Sequence, residues 1–158
     1  MSSRTARLGS LALTIAALAL AGLVFTQLWQ VIGRYLFNST PGWTETISML
    51  LMNAAMMFGA AGGVRAGAHF SFTLGIEQLP PAASRAMFAF GQMLVGVLGA
   101  ALALYGWRLL TDTWAVKVAG APLPQGLVYV PLFLGGLLMA LFACERAWAT
   151  MRGRKVDP

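Results

Sequence analysis

Residues 8–33 read LGSLALTIAALALAGLVFTQLWQVIG, a run without a single charged side chain. A helix needs about 20 apolar residues to cross the hydrocarbon core of a bilayer, so this run is long enough to span a membrane. A secretory signal peptide has an apolar core of only about 7–15 residues. Although Ala19-Leu20-Ala21 resembles a cleavage site, the apolar run continues to Ile32. We therefore predict an uncleaved membrane helix.

Three further stretches have the same character, at residues 46–64, 86–107 and 118–144. Pro122 and Pro124 favour a loop at the start of the last stretch, which moves the beginning of its helix to about residue 127. No run alternates as a barrel strand does, and backbone polar groups in lipid must be paired. We therefore predict an all-α membrane protein, one domain over residues 1–158, with four transmembrane helices at about residues 9–33, 45–65, 84–110 and 127–148.

The composition excludes an ordinary soluble domain. Hydrophobic residues make up 58% of the 158 residues and charged residues only 10%, against about 25% charged residues in an average soluble domain. The net charge of +6 does not indicate nucleic-acid binding, because the basic residues stand singly at the ends of apolar runs. Anionic lipid headgroups are the better counter-charge, so we expect membrane lipids, and no nucleic acid, as partners.

The distribution of basic residues predicts the orientation, because Lys and Arg accumulate on the cytoplasmic side of membrane proteins. With the N-terminus inside, the cytoplasmic segments contain Arg4, Arg7, Arg65, Arg85, Arg146, Arg152, Arg154 and Lys155. The outer segments then contain only Arg34, Arg108 and Lys117. Both termini are therefore expected in the cytoplasm.

The chain lacks the side chains that membrane enzymes and solitary transporters use. Ionisable residues inside a membrane span usually mark a substrate, ion or proton path, and the four spans are almost free of them. His69 is the only histidine and Cys144 the only cysteine, which excludes a two-histidine haem anchor and an intrachain disulfide. We predict no catalytic residue, cofactor or metal, and we expect an accessory or scaffold subunit.

Small residues and methionines indicate helix packing in lipid. Gly59 and Gly63 form a Gly-x-x-x-Gly pair in the second helix, and small residues let helix backbones approach closely. The third helix has a comparable set in Gly96, Gly99, Ala100 and Ala103. Met49, Met52 and Met56 form a stripe at helical spacing in the second helix. Methionine packs adaptably, so the stripe favours packing within the chain or at a partner.

The segments around the helix ends carry a more specific pattern. In chain order they read WQVIGRYLFN at 29–38, PGWTE at 41–45, FGAA at 58–61 and VRAGAHF at 64–70. Leu79-Pro80 with Arg85, and APLP at 121–124 with Tyr129 and Pro131, follow before the last two helices. This order resembles the small membrane subunit of the TRAP transporters, the tripartite ATP-independent periplasmic family.

Two positions depart from the family pattern. The family often has two acidic residues after the tryptophan, whereas Glu45 is followed by Thr46. His69 is followed by Phe70-Ser71-Phe72, where a β-branched residue and an acid are expected. Roles that need the second carboxylate, or that the family assigns to this loop, therefore do not carry over directly.

The resemblance implies a small permease subunit in the bacterial inner membrane. In this family a periplasmic substrate-binding protein captures an organic acid, and a large membrane subunit carries the substrate and sodium sites and moves like an elevator. The small subunit binds the large one as a fixed scaffold and is not an enzyme. The alternatives are the small subunit of the tripartite tricarboxylate transporters, and the membrane anchor of an enzyme complex, which would need haem or quinone ligands.

Candidate interface residues follow from the motifs and their positions. The hypothesis comprises Arg34, Tyr35, Trp43, Glu45, Gly59, Gly63, Arg65 and His69. Arg34, Trp43 and Glu45 are expected together at the outer ends of the first two helices, where they would contact a partner. Simple interfacial anchoring, with a carboxylate at the positive end of a helix dipole, explains the same residues without a partner.

Overall fold

The computed structural model describes residues 3–39, 41–66, 81–118 and 123–151. The four α-helices are α1 (Ser3–Leu36), α2 (Trp43–Ala66), α3 (Pro81–Asp112) and α4 (Val130–Met151). A 3-10 helix, Gln125–Tyr129, leads directly into α4. Each of the four is long and apolar enough to cross a membrane, which confirms the predicted all-α class with four membrane helices.

The end of α1 is closed by a short hydrogen-bonded turn. The carbonyl oxygen of Gly33 accepts from the backbone N–H groups of Phe37 and Ser39, each at 3.2 Å. Asn38 has a φ of 48°, the left-handed conformation that asparagine adopts more readily than most residues. Helices commonly end at a left-handed residue whose successor donates its backbone N–H to a carbonyl in the last turn. Asn38 and Ser39 have this arrangement, so they end α1 and turn the chain towards α2.

Local hydrogen bonds also define where α2 and α4 begin. Thr44 is fully buried, and its hydroxyl donates to the carbonyl oxygen of Pro41 at 2.7 Å. Before α4, the backbone N–H of Leu127 donates to the carbonyl oxygen of Pro124 at 3.2 Å, within the 3-10 helix that leads into α4. Pro131 is the second residue of α4, where a helix does not use the missing N–H.

The helices pack in the spatial order α1, α2, α4, α3. α2 packs extensively against α1 and α4, and α4 packs in turn against α3. Phe58 of α2 is buried in the cluster that α2 forms with α1, and Phe142 of α4 is buried in the cluster between α2 and α4. Because α1 and α3 lie at the two ends of the row, they expose large apolar side chains such as Phe25 and Leu104, which lipid can solvate.

Glycines bring the backbones of α3 and α4 into contact. A Cβ built on Gly99 would lie 2.7 Å from the backbone nitrogen of Ala140, and one on Gly136 would lie 2.7 Å from that of Ala103. Such distances leave no room for a side chain on either residue. Close backbone approach through small residues is a main source of helix association in lipid, so this contact fixes α3 on α4.

Candidate functional site

Two arginines join the end of α2 to α1 and α4. The Nε of Arg65 donates to the backbone oxygen of Thr5 at 2.6 Å, and its side chain lies over Gly9, where no Cβ would fit. Arg146 is 4% exposed, and its Nη1 donates to the backbone oxygen of Arg65. The hydroxyl of Thr5 completes the cluster by donating to Oε1 of Glu145 at 3.1 Å.

This arginine cluster has an evident structural role. The carbonyl of Arg65 lies in the last turn of α2, where helix carbonyls lack partners within the helix, and a cation there is favourable. Arg65 is one of the interface residues that the sequence predicts. In the structure its side chain contacts α1 of the same chain.

The opposite end of α1 and α2 carries the other predicted polar and aromatic residues. Arg34 and Tyr35 lie in the last turn of α1, whereas Trp43 and Glu45 lie in the first turn of α2. All four side chains are exposed, Tyr35 at 82%. Gly33 allows the connecting segment to fold closely against α1, because a Cβ there would lie 3.0 Å from the backbone oxygen of Ser39.

A cavity of about 410 Å³ opens between α1 and α2 near this end. We call it the α1–α2 notch; it is lined by Leu23, Gln27, Gln30, Glu45, Ser48, Met49 and Met52. A second cavity, also about 410 Å³, adjoins it across Glu45 and Met49 and is lined on its far side by Lys117 and the 3-10 helix.

The polar groups of the notch have no partners within the described part of the chain. The side chains of Gln27, Gln30 and Glu45 form no hydrogen bond or ion pair there. Ser48 is 7% exposed, and its buried hydroxyl also lacks a hydrogen-bond partner. The sequence prediction missed Gln27, Gln30 and Ser48. Each of the three is a polar side chain within an otherwise apolar span, and this feature of the sequence could have indicated it.

The methionine stripe of α2 continues from the notch along the outside of that helix. Met49, Met52 and Met56 are 48%, 47% and 63% exposed. They form what we call the methionine ridge. Of the two packing roles that the sequence left open, the exposure favours contact outside the chain. A flexible thioether adapts to many packing partners, so the ridge offers an adaptable apolar surface to a neighbouring molecule.

A different groove, of about 570 Å³, runs between α3 and α4. Small residues such as Gly96 and Ala143 line it, and Gln92 lies among them. Gln92 is 1% exposed, yet neither polar atom of its amide has a hydrogen-bond partner among the described residues. Between residues 86 and 104 the exposed side chains of α3 are all apolar, as expected for a surface that faces lipid.

The remaining predicted residues lie apart from the notch. Gly59 and Gly63 are both half-buried in α2, and a Cβ on Gly59 would lie 3.8 Å from Cβ of Ala16 in α1. Gly62, which the sequence prediction did not select, is closer to α1: its Cβ would lie 2.5 Å from Cδ2 of Leu13. His69 lies outside the described residues.

The described helices contain no evident site for a metal. Within residues 3–39, 41–66, 81–118 and 123–151, no group of three or more His, Cys, Asp or Glu side chains is placed to hold a metal ion.

Comparison with known proteins identifies the family. No curated protein sequence shows significant similarity to the chain. The family model "Tripartite ATP-independent periplasmic transporters, DctQ component" matches residues 23–153, from the middle of α1 to beyond α4. The match agrees with the four membrane helices and with the resemblance seen in the motifs. The chain therefore belongs to the DctQ family, the small multi-pass inner-membrane subunits of TRAP transporters, which work with a large membrane subunit and a binding protein.

Proposed function

We propose that this TRAP subunit is a fixed scaffold for the large membrane subunit during sodium-coupled uptake of an organic acid. The binding protein would deliver the acid from the periplasm, and the large subunit would carry both substrate and sodium. In this proposal the small subunit contributes a rigid membrane surface and no transport site of its own.

The placement of the charged residues is the observation that carries the proposal. In the described helices the Asp, Glu, Lys and Arg residues lie within two turns of a helix end. The middle of each span contains none, although a sodium or carboxylate site inside a membrane ordinarily needs polar or charged ligands. Close backbone contacts at Gly99 and Gly136 also favour a rigid unit, because interdigitated backbones oppose sliding.

The charges also support an orientation with both termini in the cytoplasm. The end of the row that carries Arg65 and Arg146 would face the cytoplasm, in agreement with the accumulation of basic residues on that side. Arg34, Tyr35, Trp43 and Glu45 would then lie at the periplasmic surface. Their exposure supports the proposal that they contact the large subunit or the binding protein.

Reconstitution into liposomes tests the scaffold. Vesicles that contain this chain alone, with a sodium gradient and a saturated binding protein outside, should take up no labelled organic acid above the protein-free background. Addition of the large subunit should give uptake that depends on sodium and on the binding protein. Substrate-dependent sodium uptake by the chain alone would refute the scaffold role.

A further inference from the structure

The two ends of the helix row have chemically different surfaces. α3 exposes only apolar side chains between residues 86 and 104, and lipid tails solvate such a surface without a partner. α2, by contrast, has the lowest hydropathy of the four spans. Together with α1 it presents the notch, beside which the methionine ridge lies on α2. The α1–α2 side of the row therefore combines apolar surface with polar groups inside the spans, whereas the exposed face of α3 is apolar.

The position of the notch makes its polar groups costly in lipid. Gln27 is exposed and lies nine residues before the end of α1, which corresponds to about 14 Å of helix. An unpaired amide at membrane depth has no water to replace its hydrogen bonds. Ser48 also lines the cavity, and its hydroxyl is buried, so within the described part of the chain the polar groups on both walls of the notch have no hydrogen-bond partner.

The charge of the notch specifies the partner chemistry. Glu45 is exposed and forms no ion pair among the described residues, although Lys117 lines the neighbouring cavity. A carboxylate surrounded by Gln27, Gln30 and Ser48 is complementary to a cationic group that also donates hydrogen bonds. Arginine and lysine side chains supply both.

The other possible occupants fit less well. A lipid tail could cover the methionine ridge but would leave the amide of Gln27 unpaired at membrane depth, and an anionic headgroup would be repelled by Glu45. A second copy in a symmetric pairing presents the same patch to itself, which would bring two Glu45 carboxylates together.

We infer that the α1–α2 notch is the docking site for a transmembrane helix of the large subunit, which places a basic side chain against Glu45. The apolar part of that helix packs on the methionine ridge, while the amides of Gln27 and Gln30 pair with its polar groups. The inference rests on the proposed function, because it assumes the large membrane subunit as the partner.

Charge reversal in the intact transporter tests this inference. The large subunit is co-purified in mild detergent with tagged wild-type chain, with Glu45→Lys, and with Asp112→Lys as the matched control. Asp112 is an exposed carboxylate at the end of α3, so the control makes the same charge change at the other end of the row. We expect Glu45→Lys to lower recovery of the large subunit at least about tenfold, since like charges at an interface are strongly unfavourable, and Asp112→Lys to leave it unchanged.

A second pair of variants addresses misfolding. Met52→Trp and Met93→Trp both enlarge an exposed methionine, on α2 and α3 respectively. If Glu45→Lys fails to give a monodisperse protein, Met52→Trp should still reduce recovery while Met93→Trp does not. The inference would be overturned if both members of either pair recovered the large subunit equally. Association of tagged with untagged copies of this chain through the notch would also overturn it. Failure of the wild-type chain to recover any large membrane protein would instead contradict the proposed function.

Discussion

The backbone contact between α3 and α4 yields a quantitative prediction for Gly99→Ala. The new Cβ would lie 2.7 Å from the backbone nitrogen of Ala140 and 2.9 Å from the backbone oxygen of Gly136. Both obstacles are main-chain atoms of α4, so α3 and α4 must separate to admit the methyl group. Overpacking of this kind costs about 1–3 kcal/mol.

Gly59→Ala is the matched control, because it adds the same methyl group to another membrane helix. There the new Cβ would lie 3.8 Å from Cβ of Ala16, an ordinary van der Waals contact. Both substitutions gain the same helix propensity, about 1 kcal/mol, and this gain cancels when the two variants are compared. The free energy of unfolding of Gly99→Ala should therefore be lower than that of Gly59→Ala by about 1–3 kcal/mol.

Equilibrium unfolding in mixed micelles, followed by tryptophan fluorescence, measures this difference. It corresponds to a change of roughly 5- to 150-fold in the unfolding equilibrium constant. Gly59→Ala should be at least as stable as the wild type. Equal stability of Gly99→Ala and Gly59→Ala would refute the backbone contact between α3 and α4, and with it the order of the helices in the row.

Two further substitutions test individual polar groups by the same unfolding measurement. Asn53→Leu removes the hydrogen bond, 3.1 Å long, from Nδ2 to the backbone oxygen of Val128. The free energy of unfolding should fall by roughly 0.6 kcal/mol, and by about 1.7 kcal/mol at most for such a bond in a membrane protein. Unchanged stability would contradict a bond between α2 and the 3-10 helix. Gln92→Leu replaces a buried amide that has no hydrogen-bond partner, so stability should stay constant or rise, and a loss above about 1 kcal/mol would show that the amide is paired.

The fold class was predictable from the sequence because length and apolarity alone identify membrane helices. The turn between α1 and α2 could also have been anticipated from Asn38, which tolerates the left-handed conformation, and from Pro41, which favours turns. These features depend on local chemistry, which the sequence states directly.

The arrangement of the helices could not be predicted in the same way. Lipid tails are as apolar as leucine, so an apolar side chain gives no sign of whether it faces lipid or another helix. The spacing of Met49, Met52 and Met56 predicted a stripe but not its exposure. Similarly, the Gly59 and Gly63 motif did not indicate Gly62, whose contact with Leu13 is closer.

The candidate site was predicted in part. The exposed cluster of Arg34, Tyr35, Trp43 and Glu45 was selected from its motifs, but the notch below it was not. Gln27 and Ser48 gain their meaning only when α1 and α2 are placed side by side, because each is an isolated polar residue in its own helix. A polar residue in a membrane span is therefore a useful marker even where no motif includes it.

Site-specific photo-cross-linking in native membranes tests most directly the claim that the α1–α2 side faces the large subunit. A photoreactive amino acid is introduced at position 52 in the methionine ridge, or at position 93 on the exposed face of α3, in cells that produce the whole transporter. We predict a cross-linked product with the large subunit from position 52 and only lipid adducts from position 93. Cross-linking to the large subunit from position 93 and not from position 52 would contradict the account.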